Sequence, residues 1–417
     1  MTNKPLPRHF AVVGAGVVGV CCALQLQRDG HHVTLVDYQG PGEGTSRGNA
    51  AVIAGGACEP VAMPGIVRRV PGMLADPLGP LAIRWSYLPR LAPWLLRFIA
   101  ASRPDRVEDI SKALRELSLR CVSAFKPLTQ AAHITDMIRD TGWLSVYKTE
   151  TSFQLVRGEL ELQLRRGIKF DVLTGDQIRQ MEPSLAPIFE RGVFYPENSL
   201  TVNNFRFVQC LAEDFVGHGG RLLCERVIDV VIGPQGPREL VTEQNRHRID
   251  AVVIAAGAWS RELTRRLGHK VPLDTERGYH VMLPNPGVVP RLPIHIGDHG
   301  FVATPLEHGL RFAGTVELGG LRAPPNWGRA DILLQHGRTA FPGLNEAGLE
   351  RWMGFRPSFP DSLPVISGSP KAPNTYFAFG HGHLGLSFAA ITGKIIADLA
   401  GDRDPGFDLA PYRVDRW

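Results

Sequence analysis

The chain has 417 residues, more than one hydrophobic core usually supports, so two interleaved or consecutive domains are expected. Its 44% hydrophobic and 21% charged content is that of an ordinary globular protein and excludes a disordered or fibrous one. The net charge of +5 is spread along the chain without a dense Lys/Arg run, which gives no case for nucleic acid.

Near the N-terminus, Lys4 and Arg8 precede an apolar stretch, an arrangement that imitates a signal peptide. That stretch instead opens a strand, tight turn, helix and second strand, so a cytoplasmic protein is expected. Phe10 to Val13 is the first apolar run, Gly14-Ala15-Gly16-Val17-Val18-Gly19 the turn, and Val20, Ala23, Leu24 and Leu26 the helix face. Val33 to Val36 is the second strand, ending on Asp37. In such a unit Gly14 allows the turn, Gly16 admits a pyrophosphate to the helix N-terminus, and Gly19 lets helix and strand pack. Asp37, 23 residues beyond Gly14, can accept from both hydroxyls of an adenosine ribose. An acid there, and not an arginine, favours FAD or NAD over NADP. The six cysteines (Cys21, Cys22, Cys58, Cys121, Cys210, Cys224) lack metal-ligand spacing, so free thiols and no metal site are expected.

After a polar turn from Tyr38 to Glu43 come the small residues Gly44-Thr45-Ser46-Arg47-Gly48-Asn49-Ala50-Ala51, which permit close approach to a flat ligand. Leu78 to Ala101 is the most apolar and aromatic segment, but prolines and arginines interrupt it, so it does not cross a membrane. It reads as two short amphipathic helices, packed over an active site or lying on a membrane surface. Helical spacing follows over Arg106 to Arg139, a strand at Trp143 to Tyr147, and a helix at Gly158 to Arg166. Met181 to Pro187 is a turn-rich crossing that precedes a strand at Gly192 to Tyr195, a helix at Phe205 to Val216 and a β-rich stretch at Arg221 to Ile232.

Ala251 to Ile254, ending in Ala255-Ala256-Gly257, reads as a strand returning to the edge of the nucleotide-binding sheet. Further β-rich regions carry Arg277-Gly278-Tyr279-His280 and Phe301 to Val316. Gly354-Phe355-Arg356-Pro357 and then Gly380-His381-Gly382-His383-Leu384-Gly385 lead into a last helix through Leu399. A Gly-rich turn feeding a helix N-terminus is a device for recognising anions. The expected fold is α/β: a Rossmann-type FAD-binding domain (residues 1–60, 200–270 and 350–417) interleaved with an α+β substrate domain (61–199 and 271–349) on a mixed sheet.

The order of these motifs resembles the flavoprotein family of D-amino acid oxidase, glycine oxidase and sarcosine oxidase, and within it the bacterial D-amino acid dehydrogenases. The resemblance runs nearly end to end. It implies FAD, with pyrophosphate over Gly14, Ala15, Gly16, Val17, Val18 and Gly19 and the ribose on Asp37 beside Tyr38. It places the flavin ring near Thr45, Ser46, Asn49, Ala50 and Ala51 and near Gly382, His383, Leu384 and Gly385, with Val227, Ala256 and Gly257 completing the cofactor site. Relatives that attach flavin to a histidine carry it where this chain has Asn49, and those that use a cysteine carry it near Gly354. Noncovalent FAD is therefore expected.

The activity implied is oxidation of a D-amino acid, or of a cyclic D-imino acid such as D-proline or hydroxy-D-proline, by hydride transfer from Cα to flavin N5. The electron acceptor implied is a membrane quinone or another carrier, with a peripheral contact at the inner membrane face. An oxygen-using glycine or sarcosine-type oxidase and a non-catalytic binding module are the alternatives. Such chemistry needs a carboxylate clamp more than a general base. Arg356 is the chosen clamp, since a guanidinium holds a carboxylate bidentately and Pro357 keeps the residue extended. Tyr279 and His280 are the further catalytic candidates, while His381 and His383 are read as lining residues.

Overall fold

The computed structural model describes residues 6–76 and 78–417, so Lys4 lies outside the described residues. The glycine motif folds as read: strand His9–Val13, helix Val17–Arg28 and strand His32–Asp37. They belong to a six-stranded sheet in the order Arg221–Cys224, His32–Asp37, His9–Val13, Ala251–Ile254, Thr375–Phe379, Val365–Gly368. The first five strands run parallel and the sixth antiparallel. The sequence reading put Ala251–Ile254 at the edge of this sheet, but it is an inner strand, paired on both sides. All four of its residues are buried, as expected of a strand covered on both faces.

The last helix, Gly385–Ala400, lies against the first. A Cβ at Gly393 would stand 2.6 Å from the Cys21 carbonyl oxygen, so the close approach of the two backbones depends on that glycine. Residues Gly382–Ala400 are long and apolar enough to cross a membrane, yet 78% of the stretch is buried in the protein core.

A second, nine-stranded sheet is mixed. Its order is Glu350–Ser358, Asp274–Leu283, Gly309–Leu318, Phe301–Leu306, Ile294–Ile296, Trp143–Tyr147, Arg191–Tyr195, Asp171–Thr174, with Leu81–Ile83 beside Gly309–Leu318. Glu350–Ser358, expected with the nucleotide-binding part, thus pairs into the second sheet. Successive side chains of a strand alternate between faces. Tyr279, Val281 and Leu283 accordingly enter a core with Leu333 and Leu334 of helix Gly328–Ala340, and Glu276, Gly278 and His280 take the opposite face.

The segment 78–101 departs from the two expected helices. It forms strand Leu81–Ile83, a single turn Trp85–Tyr87 and one helix, Leu88–Ala101. Pro89 sits at the helix start, where its missing N–H costs nothing. Leu91 and Trp94 pack against Leu318, and Trp94 Nε1 donates to the Ser358 carbonyl at 3.3 Å. Helices Ile66–Ala75, Gly175–Met181 and Gly328–Ala340 were not foreseen.

Candidate active site

A cavity of about 990 Å³ runs from the glycine turn of the first sheet to the inner wall of the second. At the turn, Gly14 has φ +107°, and a Cβ there would lie 2.5 Å from the Ala255 carbonyl oxygen. Gly19 has no room for a side chain at all, because its Cβ would meet the Gly14 carbonyl at 1.8 Å. Asp37 accepts from Ala15 N at 2.7 Å and Gln39 N at 3.1 Å. Burial raises its pKa, opposed by those N–H groups and by Arg226. Gly16 gives the first helix no side-chain cap of its own and the first turn holds no acid, which leaves its positive end for a ligand's charge. Arg226 lies 4.2 Å from the Tyr38 ring centre, forming with Val227 the outer end of the cradle.

The segment Thr45 to Ala51 is tied down along its length. Ser46 Oγ accepts from Val17 N at 3.0 Å, and Thr45 Oγ1 donates to the Phe355 carbonyl at 2.9 Å. Asn204 donates to the carbonyls of Ser46 (2.6 Å) and Arg47 (2.9 Å), and Arg311 to those of Asn49 (2.7 Å) and the Asn204 side chain (2.9 Å). Thr304 Oγ1 reaches Ala50 O at 3.0 Å, and Thr201 Oγ1 reaches Ala51 O at 3.1 Å. Asn49 Oδ1 accepts from Ala51 N at 2.8 Å, which holds Ala51 at φ +59°. Every carbonyl from Ser46 to Ala51 thereby has a partner, His280 supplying that of Gly48 at 3.0 Å. Trp352 fills the space over Gly48 and Gly354: a Cβ on either would fall within 2.3 Å of its ring.

Above this floor, the Glu350–Ser358 strand carries Arg356 opposite Glu276, and Gly354 opposite Gly278. Gly278 lets the guanidinium lie across the neighbouring strand, since a Cβ there would come within 2.4 Å of it. Arg356 Nη1 donates to the Thr315 carbonyl at 3.0 Å and Nη2 to that of Gly314 at 3.5 Å. Among the described residues no carboxylate oxygen lies within 4.0 Å of it. Burial lowers the Arg356 pKa while Glu276 raises it. Burial, aided by Arg356, pushes His383 down to about 4, so its imidazole is neutral at physiological pH.

The far lobe of the cavity is lined by Glu59, Glu159, Gln163, Tyr147 and Tyr195. Tyr195 donates to Gln163 Oε1 at 3.0 Å, and Arg69 stands 3.7 Å from Glu159. Burial raises the pKa of both carboxyls; the Gln163 amide is the strongest influence opposing it at Glu59, whereas Glu59 raises Glu159 further.

The structure brings nearly all the expected residues to one cavity: Gly14, Ala15, Gly16, Val17, Val18, Asp37, Tyr38, Thr45, Ser46, Asn49, Ala50, Ala51, Val227, Ala256, Gly257, Arg356, Gly382, His383, Leu384 and Gly385 line it. Gly19 stands behind the turn as the packing glycine. The two further catalytic candidates are placed differently, and His280 is corrected. Tyr279 also lines the cavity, while its hydroxyl donates to Glu317 and accepts from Asn326 N in the core behind the sheet. His280 is not in the cavity lining: it stacks on Trp352 at 4.9 Å, bonded through Nδ1 to Gly48 O, and burial pushes its pKa down to about 3. Strand alternation turns the Tyr279 hydroxyl toward the core on the other face, and Trp352 with the Gly48 turn covers His280. Sequence reasoning missed Arg311, Asn204, Thr201 and Thr304, whose signal was a polar side chain on an otherwise apolar face.

A parallel sheet with a glycine turn, a helix end free of acidic residues and an arginine-bearing wall across the cavity defines a dinucleotide-dependent oxidoreductase. The model of the FAD dependent oxidoreductase family (DAO) matches residues 9–399, and the chain belongs to this family; its cofactor is FAD. It is 39% identical to a protein named D-amino-acid oxidase from Bradyrhizobium diazoefficiens, over 99% of this chain and 100% of the relative. A D-amino acid dehydrogenase of Paramagnetospirillum magneticum is 31% identical over 97% and 98% of the two chains. Glycine oxidase from Geobacillus kaustophilus shares the fold, with a TM-score of 0.73 at 20% identity over 98% and 99% of the two chains. So does L-proline dehydrogenase from P. horikoshii, with 0.71 at 17% over 99% and 98%.

Proposed function

We propose that this protein is an FAD-dependent D-amino acid dehydrogenase. Its substrate is a D-amino acid or a cyclic D-imino acid such as D-proline, and its electrons pass to a quinone or another carrier. The observation that carries the reading is Arg356: a guanidinium on the cavity wall, held by two carbonyls and lacking a carboxylate partner among the described residues. A half-buried cation in that state is completed by an anionic ligand. FAD supplies the two-electron acceptor. Gly14 to Gly19 and Asp37 are suited to its pyrophosphate and ribose, and the pinned Ser46 to Ala51 segment to its ring. Arg356 binds the substrate carboxylate and so removes orientational freedom from Cα, while neutral His383 adds no competing charge. FAD is held noncovalently, with Asn49 engaged by Ser46 O and Ala51 N.

Two features support an acceptor other than oxygen. The relative from Paramagnetospirillum magneticum is named a dehydrogenase. In addition, Trp85, Leu96, Ile99 and Trp327 are exposed, with Arg90 and Arg97 on the same helix as Leu96 and Ile99. The name of the 39% relative favours the second reading, an oxidase that uses oxygen.

The deciding experiment is anaerobic bleaching of the yellow protein by D-, L- and N-methyl amino acids, followed by reoxidation with a quinone analogue or with oxygen. D-substrates should bleach it and the quinone should restore the colour faster. Bleaching by L-amino acids alone would overturn the substrate class. Equal turnover on oxygen with stoichiometric peroxide would establish the oxidase.

A further inference from the structure

Of the buried side-chain atoms without a hydrogen-bond partner among the described residues, two belong to residues that line the cavity: Glu59 Oε1 and Thr315 Oγ1. Thr315 is 3% exposed and adopts φ +53°, a left-handed conformation that is rare for a β-branched residue. Its place in the sheet accounts for that geometry. Against strand Asp274–Leu283 the register changes between Arg277, opposite Glu317, and Tyr279, opposite Gly314. Thr315 and Val316 therefore stand against Gly278 alone, which is a bulge. Bulges bend a strand and re-aim a side chain, and they recur beside active sites. Here the bulge also turns the carbonyls of Gly314 and Thr315 onto the Arg356 guanidinium. Gly314 is required for this, because a Cβ would come 2.6 Å from Phe301 Cβ.

We propose that Thr315 is a substrate-binding residue of the carboxylate site: its carbonyl fixes the Arg356 guanidinium and its hydroxyl donates a hydrogen bond to the carboxylate that Arg356 holds. This rests on the reading of Arg356 as the carboxylate clamp. The hydroxyl of a wall residue that has no partner among the described residues is satisfied when a carboxylate oxygen arrives. The strained backbone is retained because the bulge that produces it also sets the guanidinium. Arg356 supplies charge and the planar fork, whereas Thr315 supplies a third, directional donor from the neighbouring strand.

The test uses FAD-loaded protein and two readouts: kcat/KM for the best amino acid, and the Kd of benzoate followed by the flavin absorption spectrum. Thr315→Val keeps the shape and the β-branch but removes the donor. It should keep its flavin and its Tm, weaken benzoate about 10- to 100-fold and lower kcat/KM by a similar factor. Thr315→Ser, which restores the hydroxyl, should recover most of both. Thr315→Gly should lose the same binding yet melt at a higher temperature than Thr315→Val, since glycine adopts positive φ without strain. Arg356→Met in parallel separates the two readings. If it weakens benzoate and Thr315→Val does not, the Thr315 assignment fails and the clamp stands. If neither does, the clamp fails with it. A loss in Thr315→Val that serine leaves unrepaired would also overturn the proposal.

Discussion

The two ends of the cavity are built in opposite ways. At the cofactor end the backbone carbonyls from Ser46 to Ala51 are each met by a protein donor, several of them from strands far away in the chain. At the chamber end, which takes in the Arg356 wall and the far lobe, and among the described residues, Arg356 has carbonyls but no carboxylate partner, while Thr315 Oγ1 and Glu59 Oε1 have no hydrogen-bond partner. A resident group needs a rigid cradle, so the carbonyls that shape it are satisfied within the protein, although Arg311 Nε has no partner among the described residues. A transient ligand brings its own hydrogen-bonding atoms, so the groups that meet it wait unpaired. Substitutions at the two ends should therefore fail differently, the chamber losing turnover with flavin retained and the cradle losing flavin.

Arg356→Met is the largest expected effect. Removing one partner of a buried charge pair costs about 2–5 kcal/mol, which predicts a fall in kcat/KM of roughly 30-fold to a few thousand-fold. Flavin content should stay near wild type, and Arg356→Lys should recover only part of the activity, because an ammonium lacks the planar fork. Unchanged kcat/KM in a yellow Arg356→Met protein would remove the clamp from its role. Gly278→Ala acts on the same group without deleting it. The added Cβ would come within 2.4 Å of the guanidinium, a mobile group that can swing aside. Misplacing the clamp should cost up to about 100-fold, mostly as a higher KM. A KM equal to wild type would show that the guanidinium has latitude there.

The same contrast explains what could be read from the sequence. The cradle was legible because its glycines act locally: Gly14, Gly16 and Gly19 sit within one turn and helix start, and Asp37 ends the next strand. Arg356 was legible because it lies close in the chain to the Gly380–Gly385 turn. Where the Tyr279 hydroxyl and the His280 ring go was not legible, because a motif gives neighbours along the chain and not the face each side chain takes. Period-2 alternation sends Tyr279 to Glu317, and only the fold shows that Trp352 covers His280. The bulge at Thr315 was invisible, because it is a property of pairing between two strands. Strand Leu81–Ile83 was missed for a similar reason: its β-structure comes from pairing with Gly309–Leu318.

Arg311→Met tests the cradle side. It leaves the Asn49 carbonyl and the Asn204 side-chain oxygen without the guanidinium at 2.7 and 2.9 Å. Each buried group left unpaired costs about 1–3 kcal/mol. The variant should melt lower and release FAD on dilution or gel filtration, while substrate KM in FAD-saturated protein stays near wild type. A variant that retains FAD as tightly as wild type and has a raised KM would reverse the contrast.

The smallest effect concerns Glu59, and its sign follows from burial. Burial raises the Glu59 pKa, with the Gln163 amide opposing, so the native state binds this proton more tightly than the unfolded chain does. The resulting stabilisation is complete below the ordinary carboxylate value of about 4.3 and is lost as pH rises through the raised native value. Above that window the wild type carries a buried carboxylate beside Glu159. Glu59→Gln removes the titration and keeps the shape. Its Tm should match wild type at the acid end and exceed it at neutral pH, with the gap opening across the window. Removing the charge also withdraws one of the influences that raise Glu159, leaving that carboxyl nearer the ordinary range and better matched to Arg69 at 3.7 Å. Thermal melts of the two proteins from about pH 4 to about pH 8 read the difference directly. Parallel curves, or a variant less stable at neutral than at acid pH relative to wild type, would mean that Glu59 is stabilised as a carboxylate. The far lobe would then belong with the satisfied cradle and not with the unpaired chamber.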